Sequence, residues 1–227
     1  AKIADICQRR RLWLHVDAAY GGAAAIVPEM SHVLAGCQWA DSLVVNPHKW
    51  LFTPLDLSAF YCRRPEVLRR AFSLVPDYLS TTDNPQAVNL MDYGVPLGRR
   101  FRALKLWFVL RYFGREGIVA NLREHLRLAR EFAANVRAHE DFELMAPVNF
   151  STVCFRFRPP RISEGQLQRL NRSLLDGINQ GGRFLLSHTV LHDKFTLRLA
   201  IGNIRTQQLH VDKAWEAIRS KARELTL

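Results

Sequence analysis

The pentapeptide Asn46-Pro47-His48-Lys49-Trp50 places an amine where a strand gives way to a loop. It follows Ser42-Leu43-Val44-Val45, a short apolar run of strand character. An α/β sheet collects its reactive groups at the C-terminal ends of its strands. A lysine held there among apolar walls can attack a carbonyl and form a Schiff base. Taken alone, the segment fits a solvated surface lysine better than a catalytic one.

A second segment changes that balance. His15-Val16-Asp17-Ala18-Ala19-Tyr20-Gly21-Gly22 closes the apolar run Leu12-Trp13-Leu14, so Asp17 ends its own strand. Lys49 follows 32 positions later, enough for one βαβ crossover. Right-handed crossovers bring both strand ends to one edge of a sheet. A carboxylate and an amine then meet beside Ala18, Ala19, Gly21 and Gly22, which are small enough to let a flat ring approach the backbone. Asp17 by itself would read as a turn or helix-cap aspartate.

Pyridoxal phosphate requires this set: an amine for its aldehyde, an acid beside its pyridine nitrogen and donors for its phosphate. Lys49 can supply the first and Asp17 the second, with Asn46 and His48 flanking the lysine as phosphate donors. These motifs resemble the group II pyridoxal-phosphate-dependent decarboxylases, most closely the aromatic-L-amino-acid decarboxylases. The likeness continues through Pro96-Leu97-Gly98-Arg99-Arg100-Phe101, Lys105-Leu106-Trp107-Phe108 and Val153-Cys154-Phe155-Arg156.

The resemblance implies a catalytic set of Lys49, Tyr78 and His48, and a cofactor-binding set of Asp17, Ala19, Asn46, His48, Lys49 and Gly98. Lys49 matches the Schiff-base lysine, Ala19 the small residue on one ring face, and Asn46 and His48 groups near the phosphate. Tyr78 matches a tyrosine on a mobile loop that returns a proton to the substrate α-carbon. Relatives with phenylalanine there turn to oxidative aldehyde formation, so Tyr78 favours an amine-forming enzyme. Gly98 matches a position bordering the substrate side chain, where glycine suits a tryptophan-like ring over tyrosine, DOPA or phenylalanine. A homodimer is implied as well, with Gly98 and the loop serving the neighbouring subunit.

The elements that must position these groups predict an α/β architecture. The resemblance implies the fold-type I large domain, a partial and mostly parallel sheet, followed by a small α+β domain. Residues 1–114 form the C-terminal part of the large domain, including a catalytic loop over 73–98 with no sustained apolar period. A mostly buried helix is expected from Arg99 to Phe113. A linking helix follows over 115–140, with Ile118, Leu122, Leu126, Ala129, Phe132 and Val136 on one stripe. The small domain covers 141–227. There Val153, Phe155 and Phe157 alternate, as do Phe195, Leu197, Leu199 and Ile201. Ser163 and Gln166 have capping-box spacing, Gly181-Gly182 ends that helix, and Val211 to Leu225 forms a last amphipathic helix.

Relatives of this kind are about twice as long, so a fragment lacking the upstream half of the site is expected, with weak cofactor binding at most. Its rival readings are an aldehyde synthase of the same family and a non-catalytic scaffold piece. The net charge of +11 comes from scattered arginine pairs without a recognition motif, which argues against nucleic acid. No apolar run reaches a membrane span, and no signal peptide or metal-spaced His/Cys cluster is recognisable in this stretch of sequence. Cys7, Cys37, Cys62 and Cys154 are irregularly spaced and read as reduced thiols of a cytoplasmic protein.

Overall fold

Residues 1–73 and 88–226 are described by a computed structural model, in which the chain forms two units, Ala1–Arg115 and Glu116–Leu227. In the first, α1 (Lys2–Arg10) stops at Arg11, whose left-handed backbone (φ 52°, ψ 39°) turns the chain toward the sheet. Strand β1 (His15–Asp17) pairs in parallel with β2 (Ser42–Val45), with Asp17 opposite Val44. The crossover between them consists of three 3-10 segments, Gly21–Ile26, Pro28–Leu34 and Cys37–Trp39, in place of an α-helix. Gly21, Gly22, Pro28 and Gly36 interrupt it too often for a longer α-helix.

After β2 come the single turn α2 (Pro47–Trp50) and β3 (Ala59–Cys62), which pairs antiparallel to β2 with Phe60 opposite Val44. The α/β class holds, and the described sheet, ordered β1-β2-β3, combines one parallel and one antiparallel pairing. Helix α3 (Pro65–Phe72) is followed, beyond the undescribed residues, by a 3-10 turn at Leu90–Tyr93. Its buried Asp92 accepts a hydrogen bond from Ser73 Oγ at 3.1 Å. Both flanks of the expected loop are thus tied together, while Tyr78 lies outside the described residues.

Helix α4 (Arg102–Ala138) is interrupted at Gly114, whose φ of 62° and ψ of 176° are not helical. The part before the break begins three residues later than expected. It is not mostly buried: Phe101, Trp107, Phe108 and Tyr112 are exposed. Nothing among the described residues covers that face. The part after the break falls in the second unit; Ala129, Phe132 and Val136 of the expected stripe join its core, and Ile118, Leu122 and Leu126 are buried.

The second unit is built on an antiparallel sheet ordered β4-β5-β7-β6, from Phe142–Leu144, Thr152–Phe157, Lys194–Ala200 and Ser187–Leu191. Helices α5 (Glu164–Gln180) and α6 (Gln208–Glu224) pack with it through Leu174, Ile178, Trp215 and Ile218. The capping box at Ser163 and Gln166 opens α5, and Gly181 ends it. Arg156 breaks the inward-apolar alternation of β5. It is buried because Glu143 and Glu164 both accept hydrogen bonds from its guanidinium.

Candidate active site

Asp17 and Lys49 follow directly from the parallel pairing. Asp17 is the last residue of β1, and the turn carrying Lys49 begins two residues after β2 ends. Hydrogen bonds join the two segments past the strand ends: Ala18 N donates to Val44 O, and Asn46 N to Ala19 O, each at 3.0 Å. The Tyr20 and Trp50 rings stack above them, centroids 4.8 Å apart and 12° from parallel, with Trp50 fully buried. The sequence offered a signal for this clamp, since each motif closes on an aromatic residue.

The polar atoms divide into committed and uncommitted ones. Asp17 Oδ1 accepts a hydrogen bond from Ala19 N at 3.0 Å, as a turn aspartate does. Its other oxygen has no partner among the described residues, and neither does the exposed Lys49 amine. Asn46 Oδ1 is buried and has no hydrogen-bond partner either. A buried acceptor left unpaired costs about 1–3 kcal/mol, which marks a place where a donor belongs. His48 Nδ1 lies against the backbone of Leu57, 2.9 Å from its N–H and close to its carbonyl oxygen. Nδ1 is therefore engaged, and Nε2 is the nitrogen left for other groups.

Ala19 is buried beside Asp17. Gly22 serves packing: a Cβ there would stand 2.8 Å from Val45 Cγ2 and 3.0 Å from Ala18 Cβ. Its lack of a side chain seats the first 3-10 segment on β2, a use the sequence reading assigned to the approach of a ring. Gly98 is exposed in a bend, and a Cβ built on it meets nothing within 4 Å, so it is not packed against the Asp17 and Lys49 segments. A cleft of about 740 Å³ lies at the opposite ends of the strands, lined by Trp13, Trp39, Asp41, Arg63 and Arg64. Arg64 donates to Asp41 at 3.1 Å, and Arg63 to the carbonyls of Ala40 and Gln38.

Comparison with known proteins gives this arrangement its family. The pyridoxal-dependent decarboxylase conserved domain matches residues 1–158. The chain belongs to that family. It is 40% identical over 223 residues to tryptophan decarboxylase 2 of Oryza sativa subsp. japonica, covering 97% of this chain and 45% of that protein. It is also 40% identical over 224 residues to phenylacetaldehyde synthase of Arabidopsis thaliana, covering 98% and 46%. The crystal structure of Oryza sativa TDC with PLP and tryptamine superposes with a TM-score of 0.91 at 37% identity, covering 98% of this chain and 47% of that one. The chain thus spans slightly under half the length of the relatives it matches.

The residues present fit the family's cofactor. An unpaired amine and an unpaired carboxylate oxygen stand at the ends of adjacent strands, beside a floor of alanines. Among the described residues, no cluster of His, Cys, Asp and Glu suits a metal ion, and no helix is long and apolar enough to cross a membrane. The four cysteines are free.

Proposed function

We propose that this chain carries the lysine-bearing part of a pyridoxal-phosphate-dependent decarboxylase. The enzyme would convert an aromatic L-amino acid to its amine and carbon dioxide in the cytoplasm. The observation that carries the reading is the parallel pairing that sets Asp17 and Lys49 past adjacent strand ends, each with polar atoms unpartnered among the described residues. When bound, pyridoxal phosphate supplies an electron sink for the pair left behind as the bond to the carboxylate breaks.

Lys49 supplies the amine that holds the cofactor's aldehyde carbon. Asp17, through its uncommitted oxygen, holds a proton on the pyridine nitrogen. Ala19 would leave room for the ring, and His48, through Nε2, and Asn46 would help to hold the phosphate. Tyr78 returns a proton to the substrate α-carbon. Gly98 borders the substrate side chain and leaves space for an indole. Its exposed position here suits service to the site of a second copy in a homodimer. An aldehyde synthase is the second reading, favoured by the 40% identity to phenylacetaldehyde synthase. Tyr78 argues against it, and an assay for peroxide and ammonia beside the amine separates the two.

Asp17 and Lys49 are both exposed, so the isolated chain is expected to hold pyridoxal phosphate weakly. The test is borohydride reduction of the chain with pyridoxal phosphate, followed by peptide mapping. The adduct is expected on Lys49, at lower yield in Asp17→Ala and absent there in Lys49→Ala. An adduct spread evenly over the lysines, indifferent to Asp17, overturns the assignment.

A further inference from the structure

Arg102, which opens α4, lies far along the chain from the lysine motif yet reaches its supporting loop. Its Nε and Nη2 donate to the two carboxylate oxygens of Asp56, each at 3.2 Å. A forked contact of this kind fixes orientation as well as distance. Asp56 is covalently joined to Leu57, whose side chain is buried and whose backbone holds His48 Nδ1. Leu57 O also accepts from His48 N at 3.4 Å.

A second tether reaches the other end of the same loop. The Phe113 ring meets Phe52 edge to face, centroids 6.3 Å apart. Phe52 has a left-handed backbone (φ 57°), which a bulky residue keeps only when its surroundings hold it. Arg102 and Phe113 are separated by about three helical turns and so share one face of the helix. That face grips residues 52 and 56, and Leu57, next after Asp56, meets His48.

We infer that Arg102 is a positioning residue: its fork on Asp56 fixes Leu57 and thereby holds the His48 imidazole against the Leu57 backbone with Nε2 presented. The value of that orientation rests on the decarboxylase reading, but the lock itself does not. Arg102 and Asp56 are both partly solvent-exposed, so losing the pair should move the ring without dismantling the unit.

The experiment reads the ring directly, in the 227-residue chain without cofactor. Long-range proton–nitrogen spectra of a ¹⁵N-labelled chain report the two His48 nitrogens, identified by their disappearance in His48→Gln. The expected native pattern is one pair of nitrogen shifts displaced from those of a histidine in an unstructured peptide at the same pH. In Arg102→Gln, with the amide spectrum retained, both shifts should move toward the peptide values. Arg102→Lys, which keeps the charge and loses the fork, should fall between them. Unchanged His48 signals in Arg102→Gln overturn the proposal. If Arg102→Gln loses its amide dispersion, Asp56→Asn decides by the same reading. Loss of dispersion in both also overturns it, because the pair would then hold the unit and not the ring. A failure of the decarboxylase reading would leave these spectra untouched, whereas a failure of the lock would leave the Lys49 adduct in place.

Discussion

The strand ends carrying Asp17 and Lys49 belong to a unit whose buried residues are mainly small: Ala18, Ala19, Ala23, Ala24 and Ala40, around Val27, Trp50 and Leu57. The other unit buries Phe132, Phe142, Phe155, Leu174, Leu197, Trp215 and Ile218 in one cluster. There, Phe132 meets Phe155 at 5.2 Å and Trp215 at 5.5 Å, both near edge to face. The first unit instead leaves Ile3, Phe101, Trp107, Phe108 and Tyr112 exposed. An apolar pattern reports a core when both sides of the contact are carried by the same stretch of chain. That condition holds after residue 116 and, among the described residues, fails for the helix face before Gly114.

The contrast should be visible in stability. Phe155→Ala removes a fully buried ring, and a loss of about 3–5 kcal/mol is expected in urea unfolding. Peptide-resolved hydrogen exchange should place that loss after residue 116. An equal loss of protection around β1 and β2 would break the distinction between the units. Gly22→Ala tests the opposite region, since the added methyl meets Val45 and Ala18. Overpacking there should cost about 1–3 kcal/mol, read as faster exchange in 18–26 and 42–46.

Acid should also divide the two. His125 is buried and its Nε2 donates to Asn203 O at 3.1 Å. Burial pushes its pKa below the ordinary 6.5, against partial opposition from Asn203 and Glu124. The unfolded chain therefore takes up a proton at a pH where the folded unit does not, and acid favours unfolding. This contribution is complete above pH 6.5 and is lost as pH falls through the folded value. A pH series of thermal unfolding should show the decline in the second unit, reduced in His125→Gln. The smallest effect is expected from Phe101→Ser. A side chain this exposed should change stability by less than about 0.5 kcal/mol, and a larger loss in the melting curve would show that the face is covered.

Legibility in the sequence follows the same division. The alternation Val153, Phe155, Phe157 and the spacing of Ser163 and Gln166 announced β5 and the start of α5, because each signal is local. Strand β6 went unannounced: Ser187-His188-Thr189 is a polar edge with one neighbour, so burial leaves little pattern on it. Strand β3 went unannounced too, as Phe60 and Tyr61 stand exposed with no polar alternation. At the site, strand ends and residue types sufficed to name Asp17 and Lys49. The Leu57 clamp on His48 was invisible, because a backbone N–H and a carbonyl carry no side-chain identity. Asn171 is buried, with its amide exchanging hydrogen bonds with both backbone groups of Phe157 at 2.8 Å.

One glycine has a wider reach than its size suggests. Around Gly114 there is ample room, since a methyl group built on it touches nothing within 4 Å. The restriction lies wholly in its torsions, which fall in a region that glycine occupies and side chains avoid. Replacing one hydrogen with a methyl would therefore penalise the torsions at this link, although no neighbouring atom stands in its way.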